Sequence, residues 1–136
     1  MNQTEEKLII ASIPENISSV ENYVESICSE YDIDESVFGN ILISLTEAVN
    51  NAIIHGNKRN PEKFVTISHS LENYPKTLII KIKDEGDGFN YMNLPDPTAP
   101  ENIEMIGGIG VFLIKQLADL VIFSDKGETI ELQFRI

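Results

Sequence analysis

The sequence has few basic residues and a single cysteine, and it contains no long hydrophobic run. Ten Lys and Arg stand against 22 Asp and Glu, which gives a formal net charge of −12. Surfaces that bind duplex DNA or anionic membranes displace counterions with dense positive charge, so this balance argues against both functions. Cys28 has no second cysteine with which to form an intrachain disulfide. We therefore expect any anionic ligand to be held by local groups.

Signals for export or membrane insertion are also missing. The first ten residues, MNQTEEKLII, lack the basic segment and the long apolar core of a signal peptide. No apolar run approaches the roughly 20 residues that span a bilayer. With 42% hydrophobic residues among 136 positions, the composition predicts one globular domain, residues 1–136, with a substantial core. We expect a cytoplasmic protein that binds neither a membrane nor nucleic acid directly.

Hydrophobic periodicity predicts the element order β-α-α-β-β-loop-α-β-β. The predicted elements are an edge strand (7–13), two helices (17–31 and 35–55), a hairpin (63–71 and 77–83), a long loop (84–106), a third helix opened by glycines, and a second hairpin (120–124 and 129–136). Asp34 is the expected N-cap of the second helix, and Gly56 is its expected C-cap. This order predicts an α+β two-layer sandwich, with three helices on one face of a mostly antiparallel mixed sheet.

The second predicted helix carries a polar group of residues among buried neighbours. Glu47 and Asn51 are one turn apart on one face, with Asn50 beside them and His55 one turn further on. Two consecutive asparagines are unfavourable inside a helix, because their side chains compete for backbone hydrogen bonds. The group is either a solvated helix face or a binding site. An amide oxygen suits Mg²⁺, and a carboxylate nearby can deprotonate a nucleophile.

A second group, Asp84-Glu85-Gly86-Asp87-Gly88, follows a predicted strand. Glycines at alternate positions let a flat ligand approach the backbone, and a buried Asp84 carboxylate can accept a hydrogen bond from an exocyclic amine. A plain turn and a calcium loop are the alternatives. An EF-hand needs a glutamate at its twelfth position, where this chain has Pro95, so calcium is disfavoured.

A third group, Gly107-Gly108-Ile109-Gly110, opens the third predicted helix. Free backbone N–H groups and the helix dipole favour an anion there, although helices that begin with glycine are common. The run lacks the final glycine of a dinucleotide fingerprint, and the chain has no Gly-Lys pair for a Walker A loop. Two histidines and one cysteine without paired spacing also make a zinc site improbable.

Taken in order, the three groups resemble the N, G1 and G2 boxes of the histidine-kinase-like (GHKL) ATPase superfamily. The stretches LTEAVNNAIIHGN, IKDEGDGF and DPTAPENIEMIGGIGVFLIKQLADLV are similar to the stand-alone anti-sigma-factor serine-protein kinases of bacterial partner-switching systems. The resemblance covers the chain from about Asp34 onward. It implies a Bergerat-type ATP-binding fold that binds ATP and Mg²⁺.

The resemblance implies roles for the helix residues and for partner proteins. Asn51 would be a ligand of the Mg²⁺ that bridges the ATP phosphates, and Glu47 would be the general base toward a serine of a partner protein. The implied partners are an anti-sigma-factor antagonist, which is phosphorylated, and a sigma factor, which is sequestered. The oligomeric state stays open between a monomer and a homodimer.

The resemblance also implies how the nucleotide is held. Asp84 would bind the adenine amino group, Gly86 and Gly88 would shape the adenine pocket, and Thr129 would help to hold the base. The glycines of the third group, Gly107, Gly108 and Gly110, would close over the phosphates. Residues 89–106 would form the ATP lid.

One departure from the family pattern concerns the third box. Many relatives carry an arginine there, which offsets charge on the transferring phosphoryl group. This chain has Met105, Ile106 and Ile109 instead, and Lys115 or Lys58 are the candidate replacements. A serine kinase is therefore the leading prediction, and an ATP-dependent interaction module with little kinase activity is the alternative. A detached histidine-phosphorylating domain is disfavoured, because no phosphoacceptor helix precedes the ATP-binding elements.

Overall fold

A computed structural model describes residues 6–86, 108–124 and 128–136. Within these ranges the elements are β1 (Glu6–Ala11), α1 (Ile17–Glu30), α2 (Glu35–Asn51), β2 (Phe64–Glu72), β3 (Thr77–Lys83), α3 (Gly108–Leu117), β4 (Leu120–Ser124) and β5 (Thr129–Arg135). A 3₁₀ turn, Pro14–Asn16, precedes α1, and a π-helical turn, Ala52–Gly56, extends α2. The predicted lid, residues 89–106, lies outside the described residues.

The described strands form one five-stranded sheet in the order β1-β2-β3-β5-β4, with antiparallel pairing throughout. β1 lies at an edge, as its sequence predicts. In this register Ile67 lies opposite Ile82, and Ile82 lies opposite Ile130. Apolar residues at alternate positions of neighbouring strands therefore lie on the same face of the sheet. The predicted α+β sandwich is confirmed.

The three described α-helices cover that apolar face, with α2 packed between α1 and α3. Each helix contributes an apolar stripe at helical spacing. The fully buried positions of these stripes are Val20, Val24, Ile27, Ile41, Leu45, Val49 and Ile114. The opposite face of the sheet is polar at its centre, where the Lys81 ammonium lies 3.9 Å from a Glu131 carboxylate oxygen. The main hydrophobic core therefore lies between the helices and the sheet.

α2 begins as its sequence predicts. The Asp34 carboxylate accepts a hydrogen bond from the Ser36 backbone N–H at 3.1 Å and caps the first turn. By length and hydropathy alone, the 22 residues Glu35–Gly56 qualify as a membrane-crossing helix. Buried core helices pass the same test, and Ile41 and Leu45 of this stretch have no exposed surface. α2 is accordingly the central helix of the core.

The end of the second helix differs from the prediction of a helix over 35–55 capped by Gly56. The α-helix ends at Asn51, and the chain widens into the π-helical turn, which the Asn57 N–H closes by donating to the Ala52 carbonyl at 2.8 Å. The chain reverses later, where Lys58 and Arg59 have φ of 53° and 60°. Gly56 is required for a different reason, its close approach to the residues that follow β3.

Candidate functional site

The residues that follow β3 lie against the π-helical turn at the end of α2. Asp84 is only 7% exposed, and its Oδ1 accepts a hydrogen bond from the Gly86 backbone N–H at 2.8 Å. The Asp84 N–H donates to the Glu128 carbonyl at 3.0 Å, which ties this segment to the start of β5. The carboxylate is therefore buried and held by the Gly86 N–H, and the Asp84 backbone is fixed by the Glu128 carbonyl.

Two glycines allow this approach of the two segments. A Cβ at Gly56 would lie 2.4 Å from Asp84 Oδ2 and 2.6 Å from its Cγ. A Cβ at Gly86 would lie 2.0 Å from the Gly56 carbonyl oxygen. Neither contact is sterically acceptable, so the packing of Asp84 needs glycine at both positions.

Burial raises the pKa of Asp84 to about 6. The Gly86 N–H lowers this pKa, the nearby Glu128 carboxylate raises it, and the Lys63 ammonium lowers it, each by less than burial raises it. Strongly shifted carboxyl groups are concentrated at functional sites. The Asp84 carboxyl is thus an ionisable hydrogen-bonding group held in a nearly dry position.

The polar residues of α2 lie just before the same π-helical turn. Glu47 and Asn51 are both half-buried and stand one helical turn apart, with Asn51 immediately before the π-helical turn. The turn includes His55, whose pKa is lowered by burial and by Arg59. π-helical turns within α-helices are frequent at functional sites. The polar groups of α2 therefore continue directly into the turn that packs on Asp84.

A comparison with known families fits this combination. The family model of the histidine kinase-like ATPase domain matches residues 10–134. The chain belongs to the histidine kinase-like ATPase domain family. The resemblance read from the three sequence groups is confirmed, and membership of an ATPase family supports ATP as the ligand.

Individual relatives of this family are similar to the chain over much of its length. The serine-protein kinase RsbW of Staphylococcus epidermidis is 35% identical over 97 residues, which are 66% of this chain and 60% of that protein. The serine-protein kinase RsbW of Staphylococcus aureus (strain JH9) has the same identity and coverage. The match thus spans about 60% of the length of these relatives.

The described structure includes some of the predicted ATPase-site residues and not others. Asp84 and Gly86 are in direct contact, and Thr129 lies opposite Lys83, the residue before Asp84, in the pairing of β3 with β5. Gly108 and Gly110 form the first turn of α3, as the sequence predicts. Gly88 and Gly107 lie outside the described residues.

The two lysines considered as replacements for the missing arginine occupy different places. The Lys115 ammonium lies 5.9 Å from the centroid of the Phe123 ring, in cation–π geometry. Lys58 is exposed in the reversal after the π-helical turn. Of the two lysines, Lys58 is therefore the nearer along the chain to the π-helical turn that packs on Asp84.

The sequence does not reveal two residues of the candidate site. The sequence predicts a helix cap at Gly56 and indicates no role for Asn57. Asn57 is 1% exposed, and its side-chain Oδ1 accepts a hydrogen bond from the Glu85 N–H at 2.7 Å. A polar residue directly after a glycine is common at the end of a helix, so the sequence does not single out Asn57. Only its hydrogen bond with the Glu85 N–H shows that Asn57 lies beside the candidate site.

The raised pKa of Asp84 predicts opposite pH effects on stability and on nucleotide binding. Its folded-state pKa of about 6 exceeds the ordinary value of 3.8, so the folded protein binds more protons between these values. This group's contribution to the free energy of unfolding should fall as pH rises from about 4 to 6. Affinity for an adenine amine should rise over pH 5 to 7, because the ionised carboxylate accepts that hydrogen bond more strongly than the neutral carboxylic acid does.

The measurement is ADP affinity and thermal stability across this pH range, in the unaltered protein and in Asp84→Asn. Titration of the nucleotide phosphates is common to both proteins and cancels in the comparison. Parallel pH profiles for the two proteins would contradict the assignment.

Proposed function

We propose that the chain binds Mg²⁺-ATP and recognises adenine through Asp84. The supporting observation is the buried Asp84 carboxylate, whose Oδ1 is fixed by the Gly86 N–H and whose position depends on close contact with Gly56. A rigid, poorly solvated acceptor of this kind suits the exocyclic amine of a purine, because a charge-assisted hydrogen bond is stronger where water is excluded. Gly88 and Thr129 complete the adenine pocket, and Gly107, Gly108 and Gly110 hold the phosphates.

Asn51 is the proposed protein ligand of Mg²⁺. Mg²⁺ usually keeps several waters and takes one or two protein oxygens together with substrate phosphates. The described residues contain no group of three or more His, Cys, Asp and Glu side chains able to hold a metal ion by themselves. The half-buried Asn51 amide, as one protein ligand, fits a metal that arrives with the nucleotide. When bound, Mg²⁺ would neutralise developing charge on the phosphates.

The proposed reaction is phosphate transfer to a serine of a partner protein. Glu47 would accept the proton of the serine hydroxyl. At the same time the serine oxygen would form a bond to the γ-phosphorus, and the bridging P–O bond to ADP would break. The position of Glu47 one turn before Asn51 and the similarity to serine-protein kinases support this proposal. By the resemblance, the substrate is an anti-sigma-factor antagonist, and the chain also sequesters a sigma factor in the cytoplasm.

An ATP-dependent interaction module is the second candidate, because the third box has Met105, Ile106 and Ile109 where relatives often have arginine. The test is to incubate γ-labelled ATP and Mg²⁺ with the chain and a purified antagonist protein. Label on a serine of the antagonist is the result expected for a kinase. Bound nucleotide and bound partner without transferred label would favour the module.

Asn51→Ala should remove most of the metal dependence of nucleotide binding. In the unaltered protein we expect ADP to bind more tightly with Mg²⁺ than with EDTA, and loss of a ligand should reduce that gain by about tenfold or more. Asn50→Ala is the matched control, since it removes the same amide from the neighbouring helix position. Titration calorimetry in both buffers measures the gain, and an unchanged gain in Asn51→Ala would remove this residue from the metal site.

A further inference from the structure

The Asn57 side chain joins three separate segments of the chain. Its Nδ2 donates to Ser12 Oγ at 2.8 Å and to the Phe64 carbonyl at 3.0 Å, while its Oδ1 accepts from the Glu85 N–H at 2.7 Å. Ser12 follows β1, Phe64 begins β2, and Glu85 follows Asp84. The side chain thus uses both amide hydrogens and the amide oxygen in the interior.

The contacts of Asn57 belong to a closed ring of hydrogen bonds. The Glu85 carboxylate accepts a hydrogen bond from the Phe64 N–H at 2.5 Å, so residues 57, 64 and 85 are each bonded to the other two. Ser12 extends the ring, because its hydroxyl donates to the Lys63 carbonyl at 2.8 Å. Loss of the buried Asn57 amide would leave its partners at Ser12, Phe64 and Glu85 with unmet hydrogen bonds in buried or partly buried positions, and this costs more than the net value of one hydrogen bond.

The backbone of Asn57 also fixes the other wall of the site. Its N–H closes the π-helical turn, and this turn places Gly56 against the Asp84 carboxylate. Its side chain meanwhile holds the N–H of Glu85, the residue between Asp84 and Gly86, and these two residues are joined by the hydrogen bond that orients the carboxylate. Asn57 therefore acts on both sides of Asp84.

We propose that Asn57 is a positioning residue for base recognition, because its amide holds the Glu85 N–H and thereby fixes the direction of the neighbouring Asp84 carboxylate. The proposal rests on adenine recognition by Asp84. It assigns purine specificity partly to a residue outside the three sequence groups. Without the Oδ1 acceptor, the Glu85 N–H loses its partner, and the segment that orients the Asp84 carboxylate through the Gly86 N–H loses one of its restraints.

The test compares ADP with inosine diphosphate in the presence of Mg²⁺. The two nucleotides share the ribose and both phosphates, and they differ where adenine has an amine and hypoxanthine has a carbonyl. The unaltered chain should prefer ADP by about tenfold or more, the value of one charge-assisted hydrogen bond. Asn57→Ala should reduce this preference to below about threefold. Asn57→Asp retains the acceptor for the Glu85 N–H and should restore part of the preference.

The ratio of the affinities for ADP and inosine diphosphate does not change when the protein merely loses stability. Unfolding weakens both nucleotides by the same factor, so their ratio does not depend on the folded fraction. Asn16→Ala is the matched control, because the Asn16 amide donates to the Ala11 carbonyl at 2.9 Å and not to the Asp84 segment. This control should keep the full preference.

The outcomes separate this inference from the proposed function. Loss of preference in Asn57→Ala, with retention in Asn16→Ala, supports the positioning role. A full preference in Asn57→Ala would overturn it while leaving adenine recognition by Asp84 intact. If the unaltered chain binds both nucleotides equally, recognition through Asp84 fails, and the role of Asn57 fails with it.

Discussion

Replacing Glu47 with glutamine should reduce phosphate transfer to a partner serine by about 10² to 10⁴-fold, equivalent to about 3 to 5 kcal/mol of transition-state stabilisation. Glutamine keeps the size and polarity of the side chain but cannot take up the serine proton at neutral pH. Glu47 lies a helical turn from the proposed metal ligand Asn51, so ATP affinity should change by only a few-fold. The assay is transfer from labelled ATP to the purified antagonist, with calorimetry for binding.

Asn50→Ala is again a suitable control, because it alters α2 next to the site without removing a carboxylate. It should keep most of the transfer rate. Equal transfer by Glu47→Gln and the unaltered protein would exclude Glu47 as the base. If the unaltered protein itself transfers nothing while binding ATP and partner, the absence of an arginine at Met105, Ile106 and Ile109 is the expected reason.

Gly56→Ala should weaken ADP binding by about tenfold or more, because it removes a charge-assisted hydrogen bond from the bound state. The new methyl group would stand 2.4 Å from Asp84 Oδ2, so the carboxylate must leave its position. Asp84 is also bonded to Gly86, so the displacement should disturb the whole segment. The measurement is ADP affinity by calorimetry, with the melting temperature recorded for the same samples.

Gly39→Ala provides the matched control for this substitution. A Cβ at Gly39 meets nothing within 4 Å, and the residue lies inside α2. This change should leave ADP affinity unchanged and should stabilise the fold by about 0.5 to 1 kcal/mol through helix propensity. Unchanged ADP affinity in Gly56→Ala would show that the close contact with Asp84 does not matter for binding.

The fold was largely predictable from the sequence, because its elements have strong local signals. Alternation in β2 and β3, helical spacing in α1 and the Asp34 cap each depend on residues close together in the chain. β3 and β4 have the predicted bounds, and the ends of the other strands differ from the predicted ranges by at most two residues. These signals also place the helices on one face, since only that face of the sheet is continuously apolar.

The site was predictable only in part, because its geometry depends on contacts between distant segments. Glu47, Asn51 and Asp84 were selected by residue type and spacing, which carry chemical meaning on their own. Gly56 and Asn57 contact residues 84 and 85, nearly thirty positions away, and no local pattern indicates those partners. The π-helical turn was likewise missed, since its apolar residues continue the spacing of an ordinary helix.

Titration of the chain with ADP in the presence of Mg²⁺ tests the central claim most directly, when it is performed in parallel on Asp84→Asn. The unaltered protein should bind one ADP per chain, and Asp84→Asn should bind about tenfold or more weakly while keeping its fold, since it loses only the buried charge. Absence of binding by the unaltered protein at millimolar ADP or ATP would contradict the account. Equal affinity in the two proteins would contradict the role of Asp84.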